Sequence, residues 1–182
     1  VSAARMAKAG FTGAPALTLQ TKHWHDLGEN WLITKQYFKP YPVCRWAQAP
    51  IAAVLDLKQT YDFSSTDVAS VHITSFYEAV RLGQKKVTNT EEAQYSTSFP
   101  CAIALVHGNI LPELIADDAL KDPEIQRLSS VLTSSEDDHA NLVFPGSRLA
   151  RADITLKTGQ VLSSTWFEPK WDASVPPTKK EL

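Results

Sequence analysis

The chain has 182 residues, 43% of them hydrophobic and 21% charged, with a formal net charge of −2. Eighteen basic against twenty acidic residues leave no cationic excess for phosphate contacts, which argues against a nucleic-acid binder. The longest apolar run, Cys101–Val106, falls far short of the roughly twenty residues that span a bilayer, so no membrane partner is expected. Two cysteines, Cys44 and Cys101, cannot build a disulfide framework. With no signal-peptide pattern or lipidation box in the sequence, a cytoplasmic protein of about one domain is expected.

Residues 2–9 are strong helix formers, and Gly10 is a suitable stop. Phe11 to Asn30 reads as a loop with short helical pieces. Within it, His23-Trp24-His25 offers two imidazoles, but no third ligand stands at a recognisable spacing, so no metal site is expected. Trp31–Lys39 reads as a strand or extended segment, and Pro50–Tyr61 as a helix burying Ile51, Val54, Leu55 and Leu57. Val68–Phe76 alternates as a half-buried strand does. Glu91–His107 is helical in composition with Pro100 as an interruption or kink, and Asp122-Pro123 opens a helix reaching about Leu132. The acidic run Glu136-Asp137-Asp138 reads as a solvated loop. Ala152–Lys157 and Gln160–Phe167 form a hairpin turning at Thr158-Gly159. Few strands, not alternating regularly with helices, predict an α+β fold with a small mixed sheet packed against helices. No glycine-rich nucleotide cradle is present.

Two stretches stand out chemically. In Lys39-Pro40-Tyr41-Pro42-Val43-Cys44-Arg45, the prolines stiffen the backbone and push Lys39 and Tyr41 into extended conformations. The segment runs into a helix N-terminus, so Lys39, Arg45 and free helix N–H groups form a candidate site for a small carboxylate. An ordinary proline-rich connection with solvated Lys and Arg is the alternative. In Glu91–Ala102, the hydroxyls and amide around Gln94, Ser96 and Thr97 disfavour helix interior and suit a polar pocket wall. A kinked amphipathic helix is the alternative there. Cys44 or Cys101 as a nucleophile needs a positioned histidine, which spacing does not show, and a buried inert cysteine is the usual case.

Taken in order, Gly10-Phe-Thr-Gly13, Lys39-Pro-Tyr-Pro-Val-Cys44 with Ala49-Pro50-Ile51, and Glu92-Ala-Gln94-Tyr-Ser96 with His107-Gly108 resemble the MmgE/PrpD family. Asp122-Pro123-Glu124-Ile125, Phe144-Pro145-Gly146 and Leu156-Lys157-Thr158-Gly159 continue the series. The family includes 2-methylcitrate dehydratase, cis-aconitate decarboxylase and iminodisuccinate epimerase. The resemblance implies a two-domain enzyme, with a large all-helical domain, a smaller α+β lid and the active site between them. Residues 1–10 would then end a helix of the helical domain and 11–175 form the lid. Residues 176–182 would begin the return, with Thr178-Lys-Lys-Glu181 reading as a capping box.

By that resemblance Lys39 corresponds to an active-site lysine holding a substrate carboxylate; on the residues themselves, Arg45 adds positive potential and Gln94 or Ser96 a hydrogen bond to the substrate. Cys44 stands where some members have an active-site histidine, Phe99 where some have a tyrosine, and Gln48 where dehydratase-like members often have histidine. The implied function is that of a lid in a lyase without cofactor or metal, dehydrating a small di- or tricarboxylate by proton abstraction next to a carboxylate. Its partners would be the helical domain of the same protein and, as a homodimer, a second copy. The alternatives are an epimerase or decarboxylase of the same family, a carboxylate-binding domain without catalysis, and a cysteine hydrolase using Cys44.

Overall fold

The computed structural model describes residues 1–15, 17, 24–83, 86–116 and 118–181. His23, half of the His-Trp-His pair, and part of the predicted loop Phe11–Asn30 lie outside them. Two compact units are present, Val1–Gln36 and Tyr37–Leu182.

In the first unit α1 (Ser2–Lys8) buries none of its residues. The expected strand or extended segment Trp31–Lys39 pairs in no sheet; Leu32–Lys35 winds into a 3-10 turn between extended Trp31 and Gln36. Thr34 donates both its N–H and its hydroxyl to the Trp31 carbonyl, at 3.0 and 2.7 Å, a local bond that competes with extended backbone. Leu27, Leu32 and Ile33 remain largely exposed.

The second unit is built on a four-stranded sheet of β1 (Val68–Ser75), β2 (Leu132–Glu136), β3 (Ala150–Leu156) and β4 (Val161–Ser163), in the order β2-β1-β3-β4. β1 pairs with β2 in parallel and with β3 antiparallel, and β3 pairs antiparallel with β4, so the sheet is mixed and the fold is α+β. Register places Leu132, Val71, Ile154 and Leu162 in one row across all four strands, and all four are buried. The neighbouring row, on the opposite face by strand alternation, is Thr133, His72, Asp153 and Ser163.

Helices α2 (Gln48–Thr60), α5 (Ser98–His107) and α6 (Pro123–Ser130) supply the rest of the core. α2 lies against β3 and α5, and α6 against α5 and β1. Shorter helices α3 (Tyr77–Arg81), α4 (Thr90–Gln94) and α7 (Asp138–Val143) fill the connections. α2 begins two residues before the predicted Pro50, preceded by a 3-10 turn at Arg45–Ala47.

Four expectations are corrected. The predicted helix Glu91–His107 is two helices, α4 and α5, parted at Tyr95–Thr97. Pro100 does not kink α5; it occupies the first turn, where an N–H has no intrahelical acceptor to lose. The end of the helix predicted from Asp122 to about Leu132 and part of the acidic run form β2, and Asp137 caps α7 by accepting the Ala140 N–H at 3.0 Å. Gln160–Phe167 is strand only at Val161–Ser163, with an isolated bridge from Phe167 to Ala150.

α6 shows how local chemistry sets an element. Asp122 Oδ1 accepts the N–H groups of Glu124 and Ile125 at 2.8 and 3.1 Å, with Pro123 in the first helical position. Arg127 then donates to the Val68 and Ser65 carbonyls, fastening α6 to the start of β1. The Arg127 guanidinium, hydrogen-bonded twice to Glu124, holds that carboxyl below the usual range. Asp122→Ala should cost about 1 kcal/mol of stability. A lower urea midpoint with an unchanged denaturant slope is the expected outcome; an unshifted midpoint would remove the cap from the account.

Candidate functional site

The proline-rich stretch folds back on its own helix. Gln48, 1% exposed at the start of α2, accepts the Tyr41 N–H through Oε1 at 3.2 Å. Its Nε2 donates to the carbonyls of Tyr41 and Val43 at 3.0 and 3.2 Å, with a longer contact to Cys44. One buried amide thus satisfies a loop that two prolines have stripped of donors. Sequence reasoning noted Gln48 only as a departure from a family pattern; its length and mixed donor-acceptor character are the signal of this role.

Arg45 anchors the other side. It is 6% exposed, donating Nη1 to the carbonyls of Phe38 and Lys170 at 3.2 and 3.0 Å and Nη2 to Asp172 Oδ2 at 3.1 Å. Its guanidinium also lies 4.0 Å from the centre of the Tyr37 ring. Burial pushes the guanidinium below its ordinary value, opposed by the charge of Asp172 and reinforced by that of Arg148. The Phe38 N–H completes the connection by donating to the Trp171 carbonyl at 3.0 Å.

Lys39 lies between these two fixed points, exposed, and no hydrogen bond or ion pair joins it to another described residue. The expectation that Arg45 and free N–H groups of the helix share a site with Lys39 needs correction. The first-turn residues Gln48, Ala49 and Pro50 are buried, and Arg45 is committed to the C-terminal segment.

The loop meets the second chemical stretch at Cys44, whose N–H donates to the Gln94 carbonyl at 2.8 Å. Cys44 is half-buried and the Gln94 side chain exposed. Ser96 is buried; its hydroxyl accepts the Phe99 N–H at 3.2 Å and contacts the Ser98 hydroxyl, which Ser129 also reaches at 3.0 Å. That hydroxyl cluster ends α4 and starts α5, and it is why the predicted long helix breaks here. Ser96 also opens on a cavity of about 240 Å³ bordered by Arg81, Val87, Glu92 and Tyr95. The Thr97 hydroxyl is buried with no partner among the described residues.

Phe99 is 0% exposed, one of the largest enclosed core side chains, and so presents no surface to a ligand within this domain. Cys44 and Gln94 are thus brought together, Ser96 and Phe99 share one turn, and Arg45 faces elsewhere. No group of three or more described His, Cys, Asp or Glu side chains is arranged to hold a metal ion. No helix among the described residues is long and apolar enough to cross a membrane.

A mixed four-stranded sheet sharing one core with α2, α5 and α6, with a pinned proline loop presenting a lysine, defines an α+β domain. The family model described as the MmgE/PrpD C-terminal domain matches residues 41–182, and the chain belongs to that family. The match begins two residues after Lys39. No curated protein matches the chain.

Two predictions follow from this geometry. Phe99→Ala should cost about 3–5 kcal/mol, as a large side chain deleted from a closed core. Phe99→Tyr should cost about 1–3 kcal/mol by burying a hydroxyl without a partner. Urea denaturation of both variants checks this, and a stability-neutral Phe99→Tyr would mean the ring edge reaches a polar group or solvent. Cys101 is 0% exposed and burial pushes its thiol up, whereas Cys44 is half-buried. Iodoacetamide on the native chain should label Cys44 alone, with Cys101 alkylated only after unfolding; peptide mass mapping reads the result.

Proposed function

We propose that this chain is the lid of an MmgE/PrpD enzyme that dehydrates a small di- or tricarboxylate. The observation carrying this reading is Lys39, a cation left unpaired on a loop that Gln48 and Arg45 hold on either side, at the edge of the matched family region. The reaction starts with removal of the proton next to a carboxylate, followed by departure of a β-hydroxyl as water. Lys39 neutralises the carboxylate and stabilises the enolate-like charge that develops on it. The general base comes from the helical domain that closes against this one. In this reading Gln94, exposed beside Cys44, hydrogen-bonds a substrate hydroxyl or carboxylate, and the Ser96 hydroxyl holds the following turn by accepting the Phe99 N–H.

The exposed apolar side chains Leu27, Leu32 and Ile33 support the idea that further protein covers this chain, either the helical domain or a second copy in a cytoplasmic homodimer. Epimerisation begins with the same proton abstraction and differs only in returning the proton to the opposite face. Decarboxylation is disfavoured by the departures at Cys44 and Phe99, which leave neither imidazole nor phenol in those places.

Lys39→Ala in the complete enzyme should reduce turnover by ~10²-fold or more while leaving the thermal midpoint of the lid unchanged. Steady-state rates, with deuterium wash-in at the carbon next to the carboxylate, test both halves of the claim. Unchanged turnover would sink the role of Lys39; no deuterium wash-in into recovered substrate, together with no rate effect from deuterium placed at that carbon, would sink a reaction that starts with proton abstraction.

A further inference from the structure

Arg45 also borders a cavity of about 220 Å³, together with Ser147, Arg148, Glu168, Asp172 and Ser174. This is below the roughly 300 Å³ at which drug-sized ligand sites begin, so its scale suits an ion or a very small acid. Its polar groups are unevenly satisfied. Asp172 pairs with Arg45, whose Nη1 donates to two carbonyls and Nη2 to that carboxylate, yet the Arg45 Nε is buried without an acceptor among the described residues. The Arg148 Nε is likewise buried without an acceptor among the described residues, and no described acid lies within ion-pair distance of Arg148.

A guanidinium cannot shed its charge to relieve such a situation, and a buried charged donor without an acceptor is costly to keep. Glu168 borders the same space but is exposed and pairs with neither arginine. The segment between the lining residues Glu168 and Asp172 is also under backbone strain. Trp171 sits at φ +63°, a conformation unfavourable for a bulky residue, while Phe38 and Arg45 hold the carbonyls of Trp171 and Lys170. Strain of this kind gathers where surrounding structure clamps a ligand site.

We propose that this cavity is a binding site for a small oxyanion, a carboxylate or a phosphate, with Arg148 as its principal cation and the Arg45 Nε–H as a second donor. Ser147 and Ser174 border the space and supply neutral donors. Glu168 works against the anion and sets its affinity low, so occupancy follows the concentration of the free acid or phosphate. The site is separate from Lys39 and does not rest on the dehydratase reading.

The test is titration of the chain with inorganic phosphate and, separately, with malonate, following the arginine Nε–H resonances by NMR at constant ionic strength set with chloride. Saturable shifts of the Arg148 and Arg45 Nε–H signals are expected with one or both anions, and which of them saturates identifies the source. Arg148→Gln should weaken binding about tenfold or more, and Arg148→Lys less, since it keeps the charge but loses the fork. Glu168→Gln should tighten binding about threefold by removing a like charge, a gain that misfolding cannot imitate. Three results would overturn the proposal: no saturable shift with either anion, equal shifts with chloride alone, or undiminished binding in Arg148→Gln. Each of them leaves the role of Lys39 untouched, because no turnover is measured.

Discussion

The arrangement of the second unit depends on the burial of one guanidinium. Arg45 cannot be neutralised, so a fold that encloses it must bring acceptors to it. The acceptors come from both ends of the unit, Phe38 at its start and Lys170 and Asp172 near its close. Removing such a buried partner from a charged network typically costs about 3–5 kcal/mol. The same contact decides three further features: the path of the proline loop, the strained turn at Trp171 and the floor of the polar cavity beside Arg148.

Gln48 does for the loop's backbone what Arg45 does for its ends. Because Pro40 and Pro42 lack N–H groups, the segment cannot join a sheet ladder, and its carbonyls need donors from elsewhere. A glutamine at the buried start of α2 supplies two amide protons and an acceptor without bringing a charge into the core. The sheet beneath is divided in the same economical way. The Leu132–Val71–Ile154–Leu162 row is apolar, while His72 on the other face bonds the hydroxyls of Thr133 and Ser135 at 2.8 Å each.

What the sequence made legible follows interaction range. α2, β1 and β3 carry their own periodicity, and α6 its own cap, so they were readable from local pattern. β2 was not, because Leu132-Thr-Ser-Ser-Glu136 has a single apolar residue and becomes a strand only by pairing with β1 some sixty residues earlier. The break before α5 was visible as a density of hydroxyls, but Pro100 misdirected it, since a proline in a first turn and one inside a helix look alike in sequence. At the candidate site the stiffness around Lys39 could be read directly. The destination of Arg45 could not, because Asp172 lies 127 residues away. Phe99 was identified by correspondence with a family position, which carries no information about whether its ring is enclosed.

Lys39 and Arg45, six residues apart, show how two cations of one segment divide their work. Arg45 offers a rigid planar fork, which matches fixed carbonyls and a carboxylate and gains most when it is buried and never moves. Lys39 offers a compact, well-hydrated charge on a flexible stem, which loses little by standing unpaired in water until an anion arrives. Exchanging them would put the fork where nothing fixed exists to receive it and the point charge where several acceptors converge. The loop therefore has a structural cation and an available one, and the prolines between them keep the second from being drawn into the contacts of the first.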